Sequence, residues 1–165
     1  MKEKLKHYLK EIILFLIVMT LFANLISYYK SSDLNDKKLE MNSVVLIDGS
    51  IYTVPKNKPL LLHFWATWCP VCKLEAPNID LLAKEYNILT IAVQSGTDKE
   101  LLSHMKEHDY NFKVINDKDG LFAKQFNVNV YPTTFIYDKD KNLQFSDVGY
   151  TSSFGLWLRL FWASL

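Results

Sequence analysis

The chain has 165 residues, 49% of them hydrophobic and 22% charged, with 19 Lys and Arg against 18 Asp and Glu for a net charge of +1. That length accommodates one domain with its own core and excludes two, and so even a balance excludes the broad basic field that a nucleic-acid partner requires. Both cysteines, Cys69 and Cys72, sit in one Cys-x-x-Cys unit, which leaves the pair for chemistry and excludes a framework of structural disulfides.

Residues 1–11 form a basic start, with Lys2, Lys4, Lys6 and Lys10 directly before an apolar run over 12–29 that only Thr20, Asn24 and Ser27 interrupt. A run of that length is close to the roughly 20 residues that cross a bilayer. It predicts one transmembrane signal anchor, with Tyr28 and Tyr29 as an interfacial belt. The lack of a small-x-small triplet at its end argues against a cleaved signal peptide. The lysines then predict a cytoplasmic N-terminus, a single pass through a bacterial inner membrane, and a catalytic domain facing the periplasm or the cell exterior. Residues 30–42 read as a polar, flexible linker, and the folded domain is expected over 43–165.

Within that domain, Val44–Ile47 and Ile51–Val54 flank Asp48-Gly49, a two-residue hairpin signal. Leu60 to Ala66 is a continuous apolar stretch, as expected of a strand buried on both faces. From Pro70 to about Tyr86 the pattern turns helical, with Pro77 as a kink. Ile88–Val93 predicts a second buried strand. Thr97 with Glu100 three residues on forms a capping box for a helix to Asp109. Val114 and Ile115 suggest a short strand and Gly120–Phe126 a short helix. Thr133–Tyr137 and Leu143–Val148 make a hairpin, and 152–164 an apolar closing helix. Strands alternating with helices and ending in a hairpin and helix predict an α/β fold, a mixed sheet covered on both faces, here preceded by the transmembrane helix.

The chemistry is expected where the strand over 60–66 gives way to the helix from Pro70. There the first amides and the positive end of the helix dipole favour a thiolate on Cys69, the form that attacks a disulfide. Cys72, one turn inside the helix, is placed to resolve the mixed disulfide. Pro70 stands at the helix start, where a missing N–H costs nothing. Trp68 beside Cys69 is read as shaping an apolar rim, and Trp65 as core.

With Phe64-Trp65-Ala66-Thr67-Trp68-Cys69-Pro70-Val71-Cys72, Pro77 and Tyr131-Pro132-Thr133-Thr134-Phe135 in view, the sequence resembles the thioredoxin superfamily and, within it, the membrane-anchored TlpA, ResA and DsbE-like group, over about residues 43–165. The resemblance implies a thioredoxin-like fold and a protein-disulfide oxidoreductase with no cofactor beyond its redox-active disulfide. It implies a cis Pro132, a Tyr131 backbone that pairs with a substrate peptide, and Trp68, Pro70, Val71, Tyr131 and Pro132 as the substrate-facing set. Glu75 matches an acidic residue of the anchored reductases and is assigned proton handling. His63 stands where thioredoxin has a buried Asp, and is either a proton-handling group for Cys72 or a core histidine. The expected partners are exported protein thiols or disulfides, with a membrane thiol reductase of DsbD or ScsB type as electron donor. The segment 127–133 departs from the pattern of the cytochrome-maturation branch, and 149–157 looks more like the ScsD-type branch.

The residues leave other readings open. Cys69 and Cys72 with His104 and His108 offer a Cys₂His₂ set for zinc, set against a polar, solvated helix. Lys73 in place of a histidine excludes covalent haem attachment. A thiol protein that binds Cu(I) without turnover is the main alternative to the enzyme, and a structural adaptor is a third.

Overall fold

The computed structural model describes residues 2–31, 34–35 and 37–165, the first helix by its backbone alone at 2–6, 16, 20, 23–24 and 26–31. In chain order the elements are α1 (Lys2–Ser31), β1 (Ser43–Val45), β2 (Ile51–Thr53), β3 (Leu60–Trp65), α2 (Pro70–Ala83), β4 (Ile88–Val93), α3 (Asp98–Glu107), β5 (Lys113–Asp117), α4 (Leu121–Gln125), β6 (Thr133–Tyr137), β7 (Leu143–Val148) and α5 (Ser153–Ala163). β1 and β2 pair as a small antiparallel ribbon, and the other five strands form one sheet in the order β5-β4-β3-β6-β7. β3, β4 and β5 run parallel, while β6 and β7 are antiparallel to their neighbours.

Every residue of β3 and of β4 is buried, because helices or loops cover both faces of the central sheet; their sequences are accordingly unbroken apolar runs and not alternating ones. Alternation still decides which face each residue serves. Leu61, Trp65, Ile88, Ala92 and Ile136 pack with Ile79 and Leu82 of α2, Leu101 and Met105 of α3, and Leu156 and Leu160 of α5. Leu60, Leu62, Phe64, Leu89, Ile91 and Phe135 face the other way, against Ala123 of α4, Phe126, Val128 and Leu39. The polar stretch after α1 thus lays Leu39 on the core, where its N–H donates to the Lys141 carbonyl at 3.0 Å.

The capping box at Thr97 and Glu100 forms in both directions. The turn between β1 and β2 is longer than the expected two residues: the Leu46 N–H donates to the Ser50 carbonyl across Ile47, Asp48 and Gly49, and the Asp48 carboxylate accepts from the Ser50 amide at 2.9 Å.

The expected membrane anchor is overturned. Among the described residues no helix is long and apolar enough to cross a membrane. A span needs about 20 consecutive apolar residues, and the described side chains of α1 give no such run; Lys10 and Glu11 bound the apolar stretch on its N-terminal side, where His7 meets Glu11 at 3.3 Å. The transmembrane helix ahead of the α/β domain, the membrane-anchored character and the single-pass placement in an inner membrane are corrected with it. The side chains of Lys2, Lys4, Lys6, Tyr28 and Tyr29, which carried part of that expectation, lie outside the described residues. α1 instead runs beside β7, the edge strand of the sheet.

Candidate active site

The strand-to-helix junction is set by local chemistry. Cys69 is the N-cap of α2: its backbone is extended, with φ −87° and ψ 114°, and its Sγ accepts from the Cys72 amide at 3.2 Å. Pro70 occupies the first helical position, where its missing N–H costs nothing. Behind it, the Thr67 amide donates to Ser95 Oγ at 3.0 Å, tying the loop to the end of β4. Cys69 and Cys72 are joined as a disulfide. Both are nearly buried, and the helix-facing Cys72 is the deeper of the two.

The Tyr131–Pro132 peptide is cis, and the loop it shapes brings the Tyr131 carbonyl to 3.6 Å from Cys69 Sγ. Trp68 stands over this edge, 57% exposed, its ring T-shaped against Tyr131 with centroids 5.7 Å apart. Its indole N–H donates to the Gln94 carbonyl at 3.2 Å. Gln94 has φ +46°, an uncommon conformation for a residue with a Cβ. Val71 and Pro70 are solvent-exposed beside the disulfide. The expected substrate-facing residues Trp68, Pro70, Val71, Tyr131 and Pro132 therefore gather around one sulfur, Cys69.

Beneath them lies a buried polar strip. His63 is 2% exposed, and its Nδ1 lies 2.9 Å from Thr134 Oγ1. Burial pushes the imidazole down to about 3, so it is neutral at any ordinary pH. Thr134 pairs across the sheet with His63 on one side and Asp147 on the other, so all three side chains share the face that carries α2. Glu75, one turn beyond Cys72, is completely buried. Its Oε1 accepts from the Thr151 amide at 3.1 Å and its Oε2 has no partner. Burial first, and the charge of Asp147 in the same direction, push this carboxyl up to about 8 against the opposing Thr151 hydrogen bond. Asp147 is held in turn by Arg159 of α5, whose Nη2 donates to Oδ1 at 3.1 Å and whose Nε stands 3.0 Å from Oδ2.

His104 and His108 stay apart from this strip. Their rings lie tilted against each other with centroids 4.3 Å apart, and His104 leans on Trp65. Among the described residues no group of three or more His, Cys, Asp and Glu is placed to hold a metal. Three residues of the site escape sequence reading. Gln94 carries no signal, since only its carbonyl is used. Asp147 and Arg159 carry one: an acid within a strand, and the single arginine of the chain set in an otherwise apolar helix.

A vicinal cysteine pair that cycles between dithiol and disulfide moves two electrons without further help. On this fold it makes the protein a thioredoxin-fold disulfide oxidoreductase, with redox activity carried by Cys69 and Cys72. The chain belongs to the AhpC/TSA family, whose model matches residues 33–146. A thioredoxin-like protein of Haemophilus influenzae is 38% identical over 130 residues, covering 75% of this chain and 77% of that one. The thiol-disulfide oxidoreductase ResA of Bacillus thuringiensis is 34% identical over 113 residues, 66% of this chain and 59% of its own length. Among solved structures, the pneumococcal exposed lipoprotein thioredoxin Etrx1 superposes with TM-score 0.65 at 28% identity, covering 72% of this chain and 96% of that one. A secreted Mycobacterium tuberculosis disulfide oxidoreductase homologous to DsbE gives 0.63 at 25% identity, covering 72% and 93%. The relation to ResA and DsbE-like proteins stands without the membrane anchor first expected with it.

Proposed function

We propose that the protein works outside the cytoplasm, reducing or exchanging disulfides in exported proteins through the domain over 43–165. The observation that carries this reading is the position of Cys69 Sγ, at the head of α2 and beside the cis-proline loop. The secreted and exposed relatives named above support the compartment. In the reducing direction the Cys69 thiolate attacks one sulfur of a substrate disulfide, and the other sulfur leaves as a thiolate that takes a proton from water. Cys72 then loses its proton, attacks Cys69 Sγ, and expels the second substrate thiolate. Two electrons pass to the substrate and the Cys69–Cys72 disulfide forms. A thiol reductase of DsbD or ScsB type returns the electrons.

Glu75 is the acceptor for the Cys72 proton, being buried and on the same helix one turn away. Held up to about 8, it is protonated at neutral pH in the disulfide form, the state that follows proton capture. Neutral His63 serves as a hydrogen-bonding floor for the site. The exposed ring of Trp68 and the backbone of Tyr131 receive the substrate chain, added as an extended strand.

The test is mass spectrometry of Cys69→Ser and Cys72→Ser variants incubated with a disulfide peptide. Cys72→Ser should trap the peptide on Cys69, and Cys69→Ser should neither trap nor turn over. A wild-type protein that binds Cu(I) stoichiometrically but does not accelerate disulfide reduction would overturn the assignment.

A further inference from the structure

The polar strip contains one pair that thiol-disulfide exchange, as described, does not use. Asp147 and Arg159 form a half-buried ion pair where β7 meets α5: Nη2 donates to Oδ1 at 3.1 Å, and Nε lies 3.0 Å from Oδ2 without hydrogen-bonding to it. Arg159 also donates from Nη1 to the Gly155 carbonyl at 3.1 Å, which fixes the guanidinium along its own helix. The link from β7 to α5 is clamped to α2: the Thr151 amide donates to Glu75, and Asn78 Nδ2 donates to the Tyr150 hydroxyl at 3.2 Å and the Thr151 carbonyl at 3.4 Å. Asp147, Thr134 and His63 lie in register on the sheet face below that helix, and Glu75 Oε2 is buried there with no hydrogen bond.

We infer that Arg159, acting through Asp147, is a positioning residue for disulfide exchange: the ion pair fixes a carboxylate against Glu75 and thereby governs when Glu75 gives up its proton. The inference rests on the reading of Glu75 as acceptor for the Cys72 proton. The charged or titratable groups on the elements around Glu75 are Asp147 of β7, Arg159 of α5, His63 of β3 and, on α2, the cysteines at its head, exposed Lys73 and Asp80, whose carboxylate accepts from the Asn111 amide; the exposed Tyr150 phenol lies beyond Asn78. His63 is neutral and a disulfide does not titrate, so Asp147 supplies the field; burial pushes the Asp147 carboxyl up from its ordinary value, and the Arg159 guanidinium opposes that rise. In exchange, the Cys72 thiol proton passes to the Glu75 carboxylate as the Cys72–Cys69 bond forms and the substrate thiolate leaves. On reduction of the disulfide by an external dithiol, the same proton returns to Cys72.

The pair makes opposite predictions for its two members, which a loss of packing does not. Asp147→Asn removes the negative charge, so Glu75 releases its proton at lower pH, by about one unit for a neighbouring charge. Arg159→Met leaves two carboxylates facing each other, so the last carboxyl proton is held to higher pH by about as much. Arg159→Lys keeps the charge and restores the wild-type behaviour in part. The measurement is infrared spectroscopy of the oxidised full chain across pH, reading the protonated-carboxyl band that Glu75→Gln removes. It is paired with the pH profile of glutathione release from a Cys69–glutathione mixed disulfide. Opposite shifts of both midpoints in Asp147→Asn and Arg159→Met are the expected result. Shifts in one direction, or none, with Glu75→Gln still altering the profile, overturn the role of Arg159 and Asp147. A profile unchanged by Glu75→Gln overturns the reading of Glu75 beneath it.

Discussion

Replacing Glu75 by Gln removes an ionisable group that the folded chain holds in an unfavourable place. The wild-type carboxyl has a reference value of 4.5 and is pushed up to about 8 in the fold. Between those values the folded protein binds a proton that the unfolded chain has released, so stability falls as pH rises through that window. At 1.36 kcal/mol per unit the loss reaches about 4 kcal/mol at pH 8, and about 2 kcal/mol of it falls between pH 6.5 and 8. His63 works in the opposite sense and lower down: its imidazole stays neutral in the fold and charges in the unfolded chain below 6.5, so stability is lost as pH falls towards about 3. The two effects overlap between 4.5 and 6.5, and the range above 6.5 isolates Glu75. Urea unfolding of the oxidised protein at pH 6.5, 7.25 and 8 should therefore show wild-type stability falling and Glu75→Gln nearly flat, the difference widening by about 2 kcal/mol. Parallel curves for the two proteins would refute the claim that burial keeps this carboxyl protonated.

Three further outcomes follow from the same structure. The His63 ring should show no protonation by NMR down to about pH 4, and a midpoint near 6.5 would mean that the strand is not closed over it. Thr97→Ala removes a hydroxyl that caps α3 by accepting from the Glu100 amide at 3.3 Å; it should cost about 1 kcal/mol by urea unfolding with an unchanged slope, and a change under a few tenths would show the cap to be idle. Ile79→Ala, at a fully buried position between α2 and the sheet, should cost about 3 kcal/mol, and a cost near zero would contradict the packing of that helix.

The elements of the domain were legible because its two central strands are buried on both faces and its helices carry clear ends. Cys69 with Pro70 marks the start of α2, and Thr97 with Glu100 the start of α3. The site was legible where residues act through their side chains and lie close in sequence, as from Trp68 to Glu75. It was opaque where the sheet does the work. Asp147 reaches the site only because β7 pairs with β6 in a register that sets it beside Thr134, a relation no local pattern encodes. Gln94 contributes a carbonyl, and backbone groups leave no mark on residue type. The first 30 residues misled because hydropathy reads length and apolarity alone, whereas α1 runs beside β7.

The atom that caps α2 is also the atom that reacts. Most helices are capped by an oxygen with no other duty, but here Cys69 Sγ accepts the Cys72 amide. A hydrogen bond to sulfur strengthens when the sulfur carries negative charge, so the first turn of α2 should be held most firmly in the thiolate state and least firmly when Cys69 is bonded to a partner. The exchange rate of one backbone amide hydrogen, that of Cys72, thus becomes a label-free gauge of where the protein stands in its redox cycle.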